Sequence, residues 1–153
     1  MNDYKTPLKD IDFSFHDVLS MPSHYSTLYG TEDIDRDFVN AIVEEAAKFS
    51  EGVLAPLNHS ADRQGCQLID GEVTTPDGFK SAYQQFVDNG WPGLAQDQAW
   101  GGQGLPMSLQ MSVYETMISA NLSWGLYPTI TWGAVTTIEA HGSAKQKQDY
   151  LSP

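Results

Sequence analysis

The sequence is poor in cysteine and in basic residues. Of its 153 residues, one is cysteine and eight are lysine or arginine, against 20 aspartate or glutamate, so the formal net charge is −12. A single cysteine cannot form an internal disulfide, and nothing therefore points to an oxidising compartment. So few basic side chains exclude a nucleic-acid partner bound through its phosphates. They also disfavour docking to an anionic membrane surface.

One long stretch, residues 116–138, contains no charged residue at all. It is long enough to cross a membrane, but Pro128 lies near its middle, between Gly125 and Gly133, and eight serine, threonine and asparagine residues dilute it. We therefore predict a buried helical hairpin and no membrane insertion. Because the N-terminus lacks the apolar segment of a secretory signal, we expect a cytoplasmic location.

Helical periodicity dominates the pattern, and the length and the 41% of apolar residues suffice for one domain with a core. Residues 1–30 lack a sustained helical period and predict an irregular extension draped over a domain formed by residues 31–153. Within that domain we predict helices over residues 31–56, 75–90, 107–122, 127–141 and 143–153. A polar loop or small hairpin, with an Asp70-Gly71 turn, separates the first two. The predicted fold class is all-α, a helical bundle.

Apolar residues at helical spacing predict which face of each helix is turned toward the core. The stripe of the first helix is Phe38, Ile42, Phe49 and Val53, widened by Val39, Val43 and Ala46. The inward row of the 107–122 helix is Leu109, Val113, Met117 and Ala120. The 127–141 helix carries Ile130, Ala134 and Ile138 on one face.

Acidic residues, histidines and the cysteine are candidates for chemistry. One set fits positions 1, 3, 5 and 12 of a calcium-binding loop: Asp33, Asp35, Asp37 and Glu44. Phe38 stands where that loop needs glycine, so an acidic helix N-terminus is the better interpretation. The four histidines have no i, i+4 ligand pairing, and no metal site is predicted. Cys66 has no base placed beside it by the sequence, so no catalytic thiol is predicted.

Residues 101–104, Gly-Gly-Gln-Gly, allow two interpretations. The backbone N–H groups of such a loop can cradle a phosphate. This run, however, lacks the Lys-Ser/Thr of a P-loop and the strand and acid of a dinucleotide site. The alternative is a tight crossing where one backbone approaches another. Spacing alone therefore indicates a helical domain without a self-contained active site.

Three motifs resemble the acyl-CoA dehydrogenase family, in its N-terminal helical domain. A helix ends in Asn-Gly-Trp at residues 89–91, and a Trp-Gly-Gly-Gln-Gly turn follows at residues 100–104. Residues 141–151, HGSAKQKQDYL, are similar to a signature of the family. Residues 4–19 and 62–80 resemble the larger bacterial members with an N-terminal extension, such as the 3-methylmercaptopropionyl-CoA dehydrogenase group.

The resemblance implies FAD-dependent oxidation of an acyl-CoA thioester to the 2,3-enoyl-CoA, with an electron-transfer partner. A carboxylate base removes the α proton while a hydride passes to the flavin. In the family a flavin-binding middle domain and a C-terminal catalytic bundle, which holds that base, follow the helical domain. We therefore expect both to be missing here, with no activity and no bound FAD in this chain alone. Glu115 and Glu139 do not match the base, so no catalytic residue is assigned.

Within this chain the resemblance implies one contribution to a site. In the family, the helix before the Gly-Ser/Thr signature helps to line the acyl-chain channel, and the corresponding residues are Leu126, Thr129, Ile130 and Gly133. Ordinary packing between helices is the alternative role for these residues. Without the two further domains an apolar face would be bare, and we expect self-association through Trp124, Tyr127 and Trp132. A second hypothesis is a free-standing helical interaction module that kept the fold and lost the reaction.

Overall fold

The computed structural model describes residues 4–30 and 33–151. Its α-helices are α1 (Leu8–Asp12), α2 (Met21–Tyr29), α3 (Arg36–Phe49), α4 (Ala55–Gln64), α5 (Phe79–Asp88), α6 (Met107–Ala120), α7 (Leu122–His141) and α8 (Ala144–Tyr150). A two-stranded antiparallel hairpin, β1 (Gln67–Ile69) and β2 (Glu72–Thr74), lies between α4 and α5. The all-α fold class is therefore confirmed.

Helix α6 lies at the centre of the core, packed against α3 and α7. Its inward row is at most 1% exposed, which confirms the predicted set: Leu109, Val113, Met117 and Ala120. Beside this row, Trp124 from the first turn of α7 packs among aromatic rings. Its ring centroid lies 5.9 Å from that of Phe49 and 5.4 Å from that of Phe86. One core therefore joins α3, α5, α6 and the start of α7.

Helix α3 begins at Arg36 because Asp35 caps it. The Asp35 carboxylate accepts a hydrogen bond of 2.8 Å from the backbone N–H of Phe38, which satisfies a donor that has no partner inside the helix. The predicted start near Thr31 lies outside the described residues. Val39 is 1% exposed, whereas Phe38 is 39% exposed. The buried face therefore combines Phe49 of the predicted stripe with the three residues predicted to widen it, Val39, Val43 and Ala46.

The helical path does not stop at Pro56. Residues 50–54 form one wide π-type turn, and α4 continues from Ala55 with Pro56 in its first turn. Proline is tolerated there because a first-turn N–H has no partner inside the helix. The helix therefore extends to Gln64, into residues predicted as a polar loop.

The small hairpin confirms the predicted Asp70-Gly71 turn. Both residues have positive φ, 51° and 84°, as a two-residue type I′ turn requires. Leu68 pairs with Val73 across the strands, and these side chains are 73% and 68% exposed. The hairpin therefore lies at the margin of the domain and adds little to its core.

Residues 8–18 and 21–29 are helical, so the prediction of an irregular extension is wrong for them. Pro7 precedes α1 and Pro22 lies in the first turn of α2, so both prolines stand at helix starts. Because α1 has only five residues, it shows no sustained period in the sequence. The segment packs on α3 and α6 through a second hydrophobic cluster, whose buried members are Tyr25, Ile34, Val39, Val43 and Leu109.

A polar cluster also fastens this segment to α3. Arg36 donates to both carboxylate oxygens of Asp12, and Asn40 Nδ2 donates to Asp12 Oδ1 over 2.8 Å. His16 Nε2 lies 3.0 Å from Asn40 Oδ1. The hydrogen bonds from Arg36 and then from Asn40 hold the pKa of Asp12 below its ordinary value.

We expect acid to loosen the N-terminal segment from α3. Because the pKa of Asp12 is lower in the folded than in the unfolded chain, its stabilisation is complete above about pH 4 and is lost as the pH falls through the folded pKa. NMR shifts of the backbone amides of α1 and α2, followed during acid titration, measure the change. The variant Asp12→Asn should show the loosened state already at neutral pH. Identical titrations of variant and parent would contradict the prediction.

Asn121 fixes the junction between α6 and α7, and it is 1% exposed. Its Oδ1 accepts from the backbone N–H of Trp124 (3.1 Å), and its Nδ2 donates to the carbonyl of Leu54 (3.2 Å). We expect Asn121→Ala to lower the free energy of unfolding by about 2 kcal/mol, since it removes a helix cap and a buried tertiary hydrogen bond. Urea denaturation measures this loss. Asn58→Ala, at an exposed position of α4, is the control, and equal effects would count against the prediction.

Candidate functional site

The outer face of α7 carries all four residues that the resemblance points to. Leu126, Thr129, Ile130 and Gly133 follow the i, i+3, i+4, i+7 spacing of one helix face. Leu126 is 53% and Ile130 72% exposed, and Thr129 is half-buried. A Cβ added at Gly133 would have no atom of residues 4–30 and 33–151 within 4 Å, apart from its own chain neighbours and helix backbone. The four residues therefore share one open surface, and their role in binding stays a prediction.

The threonines of α7 satisfy their hydroxyls within the helix. The hydroxyls donate to carbonyls four residues earlier, as follows: Thr129 to Gly125 (3.2 Å), Thr131 to Tyr127 (3.2 Å), Thr136 to Trp132 (2.9 Å) and Thr137 to Gly133 (2.8 Å). These hydroxyls need no external partner. Because residues 116–138 also lack charge, this face can contact an apolar molecule without leaving a polar side chain unpaired.

The predicted buried helical hairpin is only half correct. Helix α6 is buried, but the fully buried residues of α7 are confined to its first part: Trp124, Gly125 and Pro128. Farther along the predicted face, Ile130 and Ala134 are exposed and Ile138 is half-buried, because the other described residues leave that side of the helix uncovered. No helix within residues 4–30 and 33–151 combines the length and apolarity needed to span a membrane.

Of the three aromatic residues expected on a bare apolar face, Trp124 was assigned wrongly. It is fully buried, because the first turn of α7 directs it into the aromatic cluster. Tyr127 is 39% exposed and Trp132 is half-buried. Besides Tyr127, the exposed large hydrophobic side chains of this helix are Leu122, Leu126 and Ile130.

A groove of about 580 Å³ lies between α5 and α7. Its aromatic lining comes from both helices, with the Phe79 and Tyr127 rings edge to face at a centroid distance of 6.2 Å. Burial and, next, the neighbouring Cys66 raise the pKa of Tyr127 above its ordinary value. The groove meets the predicted row on α7 only at Ile130.

The glycine-rich loop is a backbone crossing, as the second interpretation predicted. Its N–H groups donate to carbonyls inside the loop: Gly101 to Gln98 (3.1 Å), Gly102 to Asp97 (3.1 Å), Gln103 to Gly93 (2.8 Å) and Gly104 to Gln96 (2.9 Å). A phosphate cradle needs such N–H groups free. The loop therefore does not fit the pyrophosphate of a nucleotide cofactor.

The remaining candidate groups are not assembled into a site in the part of the chain that the structure describes. Glu115 is exposed on α6 and Glu139 is half-buried on α7, while Cys66 is exposed. His141 is the last residue of α7, the helix-end position predicted for it. No group of three or more His, Cys, Asp or Glu side chains within the described ranges is placed to hold a metal ion.

Sequence reasoning missed the groove between α5 and α7. Apart from Thr75, its lining comes from residues 79–84 and residues 124–131, which are far apart in sequence and meet only in the fold. Phe79 and Tyr83 lie four residues apart, on one face of α5, yet Phe79 is 5% and Tyr83 36% exposed. An excess of aromatic residues on two neighbouring helix faces is the signal that marks such a groove.

Comparisons with known proteins give one consistent result. Residues 37–153 match the family model described as "Acyl-CoA dehydrogenase, N-terminal domain". The chain is 36% identical over 148 residues to 3-methylmercaptopropionyl-CoA dehydrogenase of Ruegeria pomeroyi, and 29% identical over 156 residues to butyryl-CoA dehydrogenase of Syntrophomonas wolfei. Each alignment covers 97% of this chain and 25% of the relative. The broad-specificity linear acyl-CoA dehydrogenase FadE5 of Mycobacterium tuberculosis is 24% identical over 131 residues, which cover 83% of this chain and 21% of that protein.

Proposed function

Because the chain belongs to the acyl-CoA dehydrogenase family, with the match in that family's N-terminal domain, we propose that it serves a longer enzyme of that kind. The proposed enzyme oxidises an acyl-CoA thioester to the 2,3-enoyl-CoA and passes the electrons to an electron-transfer partner. The chain spans about a quarter of the length of the curated relatives it matches, which supports a larger working protein. The observation that carries the proposal for this part is the uncharged outer face of α7.

We propose that the row on α7 lines the channel for the acyl chain. Leu126 and Ile130 supply apolar area, which an alkyl chain can cover with a gain of about 25 cal/mol per Å². The open space at Gly133 leaves room beside them. Thr129 adds no unpaired hydroxyl, because its Oγ1 donates to the carbonyls of Gly125 and Leu126.

FAD in the proposed enzyme accepts the hydride when it is bound. The glycine-rich loop of this chain has no free N–H groups for its pyrophosphate, so we propose that the domains beyond this one hold the cofactor and supply the base. The contribution of this chain is then to shape the channel and exclude water from it. A cytoplasmic location is part of the proposal, and the exposed free thiol of Cys66 supports it.

The test compares this chain alone with the longer protein that the proposal requires. Each is assayed with FAD, an artificial electron acceptor and acyl-CoA thioesters of increasing chain length. We expect turnover by the longer protein and none by the 153 residues alone. In the longer protein, Ile130→Asp should lower kcat/KM for long acyl chains by at least about tenfold, through lost apolar contact and a charge beside the chain.

Ile69→Asp provides the matched control, because Ile69 is also exposed (59%) but lies on the hairpin. It should leave kcat/KM unchanged. Turnover by this chain alone would refute the proposed division of labour. An effect of Ile130→Asp that is equal at all chain lengths would refute the channel role.

The alternative is a free-standing helical module that self-associates, and the bare row of Leu122, Leu126 and Ile130 favours it. Sedimentation equilibrium of this chain should then show a reversible oligomer that Ile130→Asp dissociates and Ile69→Asp does not. A native stop after codon 153 would favour the module, and a continuing frame that encodes a flavin domain would favour the enzyme. A strict monomer at high concentration would count against self-association.

A further inference from the structure

The groove between α5 and α7 is a slot with aromatic walls. Phe79 and Trp124 are 5% and 0% exposed and form its floor, while Tyr83 of α5 and Tyr127 of α7 are 36% and 39% exposed and border it. Its volume of about 580 Å³ falls in the range of small-molecule sites. Such rings attract another flat ring through offset or edge-to-face contacts. The slot therefore favours a planar apolar group over a bulky one.

One cation lines this slot. The ion pairs within residues 4–30 and 33–151 engage other basic side chains and leave Lys80 without a carboxylate partner. No carboxylate of these residues lines the groove either. In a chain with a net charge of −12, an unpaired cation beside an apolar slot favours an anionic group on the occupant.

Two other polar side chains at this rim, Gln84 and Thr131, are already engaged. Gln84 Nε2 donates to Asp88 Oδ1 (2.8 Å), and Thr131 Oγ1 donates to the carbonyl of Tyr127 (3.2 Å). Among the described residues that line the groove, Lys80 supplies the charged donor for a bound molecule. We propose that this groove binds a small planar aromatic carboxylate, with its ring between Tyr83 and Tyr127 and its carboxylate at Lys80.

This site adjoins the proposed acyl channel and shares one residue with it. Of the predicted row on α7, Ile130 alone lines the groove, whereas Leu126, Thr129 and Gly133 do not. The inference therefore does not rest on the proposed enzyme reaction, and it can be tested on this chain by binding alone.

The experiment titrates the chain with 2-naphthoate and follows its backbone amides by NMR. We expect saturable shifts in α5 and in residues 124–131. Lys80→Gln should weaken binding about three- to fivefold, as expected for an exposed charge pair, and added salt should weaken it further. Tyr83→Leu should weaken binding about tenfold through the lost ring contact.

Two further ligands and one variant serve as controls. Naphthalene-2-methanol has the same rings without the charge, and decanoate has the charge without the rings, so both should bind more weakly than 2-naphthoate. Lys145→Gln removes a lysine of α8 that is ion-paired with Asp149, and it should leave the affinity unchanged. The proposal is overturned if shifts map to another surface, if binding does not saturate, if the alcohol or decanoate binds as tightly, or if Lys80→Gln has no effect.

Discussion

Gly102→Ala is expected to destabilise the domain by about 3–5 kcal/mol, because it adds an atom where two backbone segments cross. A Cβ at this position would lie 2.1 Å from the carbonyl oxygen of Gln96 and 2.4 Å from its carbon. That same carbonyl accepts the N–H of Gly104 over 2.9 Å. Moving it to relieve the clash would break this bond, so the two costs add. Urea denaturation followed by circular dichroism measures the loss.

Gly133→Ala provides the matched control for Gly102→Ala. It makes the same chemical change within α7, where no neighbouring side chain or loop in the described part of the chain lies within 4 Å of the added atom. Alanine there should stabilise the domain by about 0.5–1 kcal/mol, because glycine is a poor residue for a helix interior. A lower free energy of unfolding for Gly102→Ala and a higher one for Gly133→Ala would establish that two backbone segments cross at Gly102. A loss for Gly102→Ala below about 1 kcal/mol would contradict it.

Trp124→Ala should lower the free energy of unfolding by about 3–5 kcal/mol, in line with other buried aromatic truncations. The indole is fully buried, lies edge to face with Phe49 and Phe86, and its Nε1 donates to the carbonyl of Phe79 over 3.4 Å. Its removal leaves a cavity where α3, α5 and α7 meet. The free energy of unfolding of a small domain is only about 5–15 kcal/mol in total. The urea concentration at the midpoint of denaturation should therefore fall steeply.

Two variants show whether this loss belongs to the buried position. Trp132→Ala removes the same side chain from a half-buried site of α7 and should cost less than half as much. Trp124→Phe keeps an aromatic ring but loses the hydrogen bond to Phe79, and it should fall between the two. Equal losses for Trp124→Ala and Trp132→Ala would show that burial of Trp124 is not what stabilises the core.

Much of the helical core could be predicted from the sequence where one helix carries one clear apolar row. Leu109 and Val113 follow that rule, and α6 lies where the pattern placed it. Apolar spacing predicted the buried residues less well where a helix is short or where its apolar stripe is wide. Helix α1 is too short to show a period, and the choice between Phe38 and Val39 depends on how α3 packs against α6.

The candidate site was predictable only in part, for a related reason. The row of Leu126 and Ile130 lies on one helix and follows from spacing once the family is recognised. The slot at Tyr83 and Tyr127 can be predicted only when the relative positions of α5 and α7 are known. No pattern along the sequence contains those positions. Trp124 was assigned to the surface because hydrophobicity alone does not tell a bare face from a buried one.

The internal hydrogen bonds of the glycine-rich loop also bear on how the chain folds. Its backbone bonds, from Gly101 to Leu105, join partners three to eleven residues apart. Contacts that are this local close quickly, since little chain entropy is lost before they form. The loop should thus assemble early, before α7 docks on α6. Its amides should afterwards exchange with solvent deuterium as slowly as those of the helices around it, although no regular element contains them.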